Sequence, residues 1–273
     1  MAQKEYEKTI IPMIEAVYGS FTTVERNIAD FFIHNREEMD FSSKHISQML
    51  YVSEASLSRF AKRCGYKGYR EFIFHYQNGF NKEQKQVDDL TKAVLNAYQE
   101  LLNKSFALVE EQQMHRIAKM LVESKKVYVY GMGSSGMAAQ EFKLRFMRLG
   151  LDVESVVDSH IMRMTSTLAR EDVLVIGISI SGKTKEITSA LQLAKEHGAK
   201  TIMITSNNDE EFKKYCDEVL LVAVMKNLDA GNMISPQFPI LVMVDIFFSY
   251  FLNMDYYTKN STYSSTVTAI TGK

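Results

Sequence analysis

Two short runs of glycine and hydroxyl residues have the composition to hold an anion. Gly131-Met132-Gly133-Ser134-Ser135-Gly136 follows an apolar stretch and precedes helical spacing, and Ser179-Ile180-Ser181-Gly182-Lys183-Thr184 does the same further on. Glycine allows a tight turn and close backbone approach, and the start of the helix that follows offers unpaired amides to a negative group. The first run alone also fits G-x-G-x-x-G, a weak sign of a dinucleotide, for which Glu154 or Asp158 would hold the ribose. The second run discriminates: the hydroxyls of Ser179, Ser181 and Thr184, with the amides around Gly182 and Lys183, form a compact nest for one phosphate monoester. A plainer role is open to each hydroxyl singly, that of a helix cap. A third constellation is basic. Ser53, Ser56, Ser58, Arg59, Lys62 and Arg63 lie close together, with Lys67 and Arg70 just beyond Gly65. Short hydroxyl side chains let a backbone come close to duplex DNA, arginine can fork onto guanine edges, and lysine pairs with phosphate.

These groups need elements to hold them. Over residues 5–80 apolar side chains recur at three and four positions, as in Val24, Ile28, Phe31 and Phe32, the period of helices with one buried face. Within that stretch residues 44–64 read as helix, tight turn, helix, with Ser53 as the N-cap of the second helix and Leu57, Phe60 and Ala61 as its inward stripe. Tyr51 falls in the turn, where glycine would more easily be left-handed. A polar stretch, 81–90, is the expected linker between a domain at 1–80 and another at 91–273. In the second domain, after helical spacing over 90–124, β-branched runs at 127–130, 153–157, 173–178, 201–205 and 219–224 predict five strands separated by helices such as 186–197. That alternation implies a parallel sheet covered on both faces, with ligands at the carboxyl ends of the strands. Residues 238–252 predict a buried helix.

Bulk properties narrow the function. A chain of 273 residues has room for two domains, and its net charge of −1 gives no whole-chain attraction for nucleic acid, so any DNA contact must be local. Cys64 and Cys216 are isolated, with no spacing that indicates a disulfide framework or a metal site. Neither a signal peptide nor a spanning segment is visible, and a cytoplasmic protein with no membrane partner and no metal or cofactor is expected.

Taken in order, Val52-Ser53-Glu54-Ala55-Ser56-Leu57-Ser58-Arg59-Phe60, Gly65-Tyr66-Lys67-Gly68-Tyr69-Arg70-Glu71-Phe72, Gly131-Met132-Gly133-Ser134-Ser135 and Ser179-Ile180-Ser181-Gly182-Lys183-Thr184 resemble the MurR/RpiR-type transcriptional regulators. These join a helix-turn-helix to a sugar isomerase (SIS) domain, and the resemblance covers nearly the whole chain. It implies an all-α DNA-binding head followed by an α/β flavodoxin-like five-stranded parallel sheet. It also implies phosphate held by Ser179, Ser181 and Thr184, with Ser134 and Ser135 on phosphate or sugar hydroxyls. The implied partners are double-stranded operator DNA, a phosphorylated sugar or amino sugar, and further copies of the chain in a homodimer or homotetramer. The implied activity is regulation without catalysis; a phosphosugar isomerase and a dinucleotide-binding protein remain the alternatives. Two positions depart from the family's pattern: Ile180 replaces a polar residue, and Ile234-Ser235-Pro236-Gln237 lacks an expected arginine. Gln237 and His160 are therefore left outside the expected site.

Overall fold

The computed structural model describes residues 10–35, 37–78, 89–224 and 234–272. It divides into two compact units, Met1–Asp88 and Asp89–Lys273. Residues 81–88 of the expected linker lie outside the described residues; Asp89 and Leu90 open a helix instead.

In the first unit the helices are α1 (Ile11–Val17), α2 (Thr23–His34), α3 (Ser43–Met49), α4 (Glu54–Arg63) and α5 (Tyr69–Asn78), and no strand occurs among its described residues. Thr22 and Glu25 start α2 with a capping box, each satisfying a backbone amide of the other's turn. Ile28 and Phe32 are fully buried on its inner face, whereas Val24, expected beside them, is 47% exposed. Aromatic rings fill the centre: Phe32 lies 4.9 Å from both Phe72 and Tyr76, and Phe60 lies 5.2 Å from Phe72.

In the second unit α6 (Asp89–Leu108) and α7 (Glu111–Glu123) precede β1 (Lys126–Gly131), α8 (Ser134–Met147), β2 (Val153–Val156), α9 (Ser159–Leu168), β3 (Val173–Ile178), α10 (Lys185–Glu196), β4 (Lys200–Thr205) and β5 (Glu218–Leu221). The chain then forms α11 (Phe238–Met254) and α12 (Tyr256–Thr271). All pairings are parallel, in the order β2-β1-β3-β4-β5, the flavodoxin-like arrangement. β5 stops short of the expected 224 because its partner ends: Thr205, the last residue of β4, pairs with Leu221. Two cores result, one on each face. Met114, Leu121, Phe142, Phe146, Met243 and Phe247 join α7, α8 and α11 on one, while Met162, Ile187, Leu191 and Met203 join α9 and α10 on the other. α11 buries one face only, leaving Asp245 and Ser249 exposed. Among the described residues no single helix is long and apolar enough to cross a membrane.

Chain direction explains where a ligand can enter. From β1 the chain leaves to α8 on one face, and from β3 it leaves to α10 on the other. Neighbouring strands whose connections depart to opposite faces open a crevice at their carboxyl ends.

Candidate functional site

Both hydroxyl-rich loops open at that crevice. Gly131 and Ile178 are register partners across β1 and β3, so the loops begin about 5 Å apart. The first loop is tight enough to require glycine at two positions. A Cβ on Gly131 would stand 2.6 Å from the carbonyl carbon of Ser135, and one on Gly136 would stand 2.9 Å from the Gly131 oxygen. Gly133, at φ +54, caps α8 without any side-chain bond, and the hydroxyls of Ser134 and Ser135 have no partner among the described residues. Ser134 is exposed and Ser135 half-buried, both at the amino end of α8.

The second loop differs in part from expectation. Ser181 and Lys183 are exposed and Thr184 half-buried, but Ser179 is only 2% exposed and its hydroxyl lies 2.9 Å from that of Thr184. Ser179 therefore orients Thr184 from behind. The amides of Gly182 and Lys183, expected to form the nest, are engaged internally: Gly182 donates to the Ser179 carbonyl at 3.0 Å and Lys183 to the Ser181 hydroxyl at 3.2 Å. Among the described residues the amides of Ile180 and Ser181 in the loop, and of Thr184, Lys185 and Glu186 at the start of a helix that Thr184 does not cap with its side chain, have no acceptor. Helix capping thus accounts for neither loop's hydroxyls. With the positive end of α10, Lys183 and Lys185 make this edge attractive to an anion.

Thr205 and Ser206 support this loop, and the sequence reading missed them. The carbonyl of Ile180 accepts from the Ser206 amide at 2.9 Å, the Ser206 hydroxyl at 2.8 Å and the Thr205 hydroxyl at 3.2 Å. In a trans peptide the carbonyl and the next amide point opposite ways, so anchoring that oxygen toward β4 turns the Ser181 amide outward. Gly182, at φ +68, sits where a Cβ would meet Phe212 Cζ at 2.7 Å. Only strand adjacency reveals these contacts; a Thr-Ser pair ending a predicted β-run is the available signal.

His160 is exposed in the first turn of α9, and Gln237 Nε2 approaches Met137 Sδ at 3.2 Å. The acids a dinucleotide would need are occupied: Glu154 pairs with Lys143 at 3.1 Å, and Asp158 accepts the amides of His160 and Ile161 as the N-cap of α9. Among the described residues no cluster of three His, Cys, Asp or Glu side chains has metal-binding proximity. Burial pushes the thiols of Cys64 and Cys216 up to about 12, so neither is a ready nucleophile.

In the first unit, α3 and α4 form the helix-turn-helix. The Ser53 hydroxyl accepts the Ser56 amide at 3.1 Å as an N-cap, and Leu57, Phe60 and Ala61 are fully buried. Arg59 and Lys62 are exposed one turn apart, and Arg59 Nη2 donates to the Ser56 hydroxyl at 3.0 Å, which draws its guanidinium toward the helix start. The rest of the expected DNA set is dispersed. Arg63 turns back to Glu25 at 3.3 Å and to the Ser20 carbonyl, binding α4 to α2. Ser58 and Arg70 line a separate cleft of about 760 Å³ with Asp40 and Glu54, while Lys67 is exposed beyond Gly65. Glu25 is desolvated by burial, which raises its pKa, but the Thr22 amide and hydroxyl and then Arg63 and Arg59 overcome that and hold it below the usual carboxylate value. Tyr51 is left-handed at φ +54, a conformation that costs a non-glycine residue about 1–2 kcal/mol.

Comparison with known proteins agrees with this two-part layout. Residues 8–83 match the helix-turn-helix domain of the rpiR family and residues 120–249 match the SIS domain. The HTH-type transcriptional regulator RpiR of Escherichia coli K12 is 27% identical over 216 residues, 75% of this chain and 73% of its own. An uncharacterized HTH-type transcriptional regulator of Haemophilus influenzae is 26% identical, with 88% of each chain covered. Among solved structures, Vibrio vulnificus NanR complexed with ManNAc-6P is similar at a TM-score of 0.62 and 20% identity, over 96% of this chain and 98% of that one. The sugar isomerase domain of an RpiR transcription factor from Sphaerobacter thermophilus is similar at 0.60 and 18% identity, over 66% of this chain and 98% of that one. With an rpiR helix-turn-helix ahead of a SIS domain, and curated relatives of the same kind along most of its length, the chain belongs to the RpiR family of HTH-type transcriptional regulators.

Proposed function

We propose that this regulator acts in the cytoplasm, without catalysis, by binding operator DNA through α4 and a phosphorylated sugar or amino sugar at the β1–β3 crevice. The observation that carries the reading is the pairing of two loops at one switch point. There Ser134, Ser135, Ser181 and Thr184 gather with the free amides that open α10, while Gly133, Gly182, Lys183 and Ser179 shape and support them. A phosphate ester fits such a surface because amides and hydroxyls replace its hydration shell while the helix ends favour its charge. NanR, similar in fold, was solved with ManNAc-6P, which supports this ligand class.

On the DNA side Ser53, Ser56, Arg59 and Lys62 form the reading row, Lys67 adds a phosphate contact, and Ser58 and Arg70 lie to its flank. A homodimer or homotetramer would present paired heads to symmetric half-sites. An exposed apolar stripe on and just before α9, formed by Val157, Ile161, Met164 and Leu168, supports self-association. A sugar phosphate that binds one arrangement of that assembly more tightly shifts its population, and a tenfold change in operator affinity needs about 1.4 kcal/mol of such preference.

Calorimetry with ManNAc-6P, other hexose and pentose phosphates, the matching unphosphorylated sugars and inorganic phosphate tests the pocket. Binding confined to phosphorylated members is the expected outcome. Equal binding of the unphosphorylated sugars, or turnover of any sugar phosphate, overturns the reading.

A further inference from the structure

Among the described residues four helices end in the same hydrogen-bonded motif, and one of the four breaks its own rule. After α4, α8 and α10 the chain passes through Gly65, Gly150 and Gly198 at φ +90, +86 and +95. In each, the glycine amide donates to the carbonyl three residues back at 3.0 Å, and the residue after it donates back over the last turn: Tyr66 to Ala61 at 3.0 Å, Leu151 to Phe146 at 3.2 Å and Ala199 to Ala194 at 3.0 Å. Glycine is placed there because the left-handed position crowds a Cβ. After α3 the same two bonds recur, Tyr51 to the Gln48 carbonyl at 3.3 Å and Val52 to that of Ser47 at 2.9 Å, yet the left-handed residue is Tyr51. Asn27 of α2 holds this turn by donating to the Leu50 carbonyl at 3.3 Å.

Backbone bonds and Asn27 hold the turn, but among the described residues no hydrogen bond of the Tyr51 side chain offsets the strain. Tyr51 is 97% exposed, and its hydroxyl has no partner among the described residues. It is also the sole non-glycine residue at positive φ among the described residues. Backbone strain of this kind clusters at functional sites, and this turn lies directly ahead of Ser53 and α4, the helix proposed to bind operator DNA.

We infer that Tyr51 is a DNA-contact residue: the strained turn holds its ring out from the protein so that its hydroxyl donates to a backbone phosphate of the duplex beside the groove α4 occupies. The inference rests on the DNA-binding reading of α3 and α4. A phosphate contact carries no sequence information, and a neutral phenol displaces no counterion. Its loss therefore weakens all duplexes alike without changing the salt dependence, unlike loss of an arginine.

The test uses the full-length chain, a duplex it selects from a random pool, and an unrelated duplex of equal length. Tyr51→Gly is expected to raise the melting temperature of the first unit by about 2–4 °C, because relief of the left-handed strain outweighs the greater unfolded-state freedom of glycine. It should at the same time weaken binding to both duplexes about tenfold with an unchanged salt slope. Tyr51→Phe, which keeps ring and strain, should lose most of the same affinity. The inference is overturned if Tyr51→Gly binds as tightly as wild type, or if Tyr51→Phe is indistinguishable from it. Failure of the wild-type chain to select any duplex sinks the DNA-binding reading itself, so the two failures can be told apart.

Discussion

Replacing Gly182 by alanine probes the loop proposed to hold phosphate at its tightest point. The backbone there is at φ +68, which costs an alanine about 1–2 kcal/mol. Its Cβ would also stand 2.7 Å from Phe212 Cζ and 3.1 Å from both Asn207 Cβ and Thr205 Oγ1. Phe212 is buried in the α9–α10 core, so its ring cannot swing aside freely, and overpacking of this sort costs about 1–3 kcal/mol. Together the two effects amount to about 2–5 kcal/mol. The loop relieves part of this by moving, which carries Ser181 and Thr184 away from the positions their hydrogen bonds define. If about 1.4 kcal/mol falls on the binding arrangement, sugar-phosphate affinity drops tenfold, and the remainder lowers thermal stability. Gly133→Ala is the comparison: nothing lies within 4 Å of its Cβ, so only the backbone conformation is penalised. Calorimetric titration with ManNAc-6P and inorganic phosphate, paired with thermal melts, reads both effects. A Gly182→Ala protein with wild-type affinity and wild-type melting temperature refutes the reasoning.

Three further outcomes follow from the same geometry. Arg59→Ala with Lys62→Ala should weaken binding to a selected duplex and reduce the slope of log K against log salt by up to about 1.8, since each phosphate contact contributes about 0.9; an unchanged slope in fluorescence anisotropy would place α4 away from DNA. Arg63→Ala should behave differently, lowering stability by about 1 kcal/mol in a denaturant melt while leaving the salt slope unaltered, because its partners are Glu25 and the Ser20 carbonyl; the reverse pattern contradicts this. Because the folded-state pKa of Glu25 is below its ordinary value of 4.5, its stabilising contribution is complete above that pH and is lost as pH falls through the folded value. Melts of the wild-type chain and Glu25→Gln should accordingly converge on acidification below about pH 4.5, and a gap that stays constant across that range rejects the assignment.

What the sequence made legible was local chemistry. β-branched runs located the five strands, and hydroxyl and glycine clusters marked the two loops, because those signals are carried by contiguous residues. Long-range pairing was not legible. That Arg63 turns to Glu25, or that Thr205 and Ser206 grip the Ile180 carbonyl, depends on elements brought together by the fold. Periodicity also left side-chain direction open: Ser179 turns inward to Thr184, and Val24 lies outside the core it shares a period with. The extent of β5 was misread because an apolar run continues past the end of the strand it pairs with. Tyr51 was legible as an anomaly in the turn, while its exposure and its likeness to three glycine-ended helices emerged only in three dimensions.

Under the proposed function, occupancy of the β1–β3 crevice changes how tightly the helix-turn-helix holds DNA. Fluorescence anisotropy on a selected duplex, titrated with and without each sugar phosphate of a panel, measures that coupling directly. At least one phosphorylated sugar should shift the DNA dissociation constant about tenfold, and its unphosphorylated counterpart should leave it unchanged. Tight sugar-phosphate binding with no effect on DNA affinity at any concentration would contradict the account.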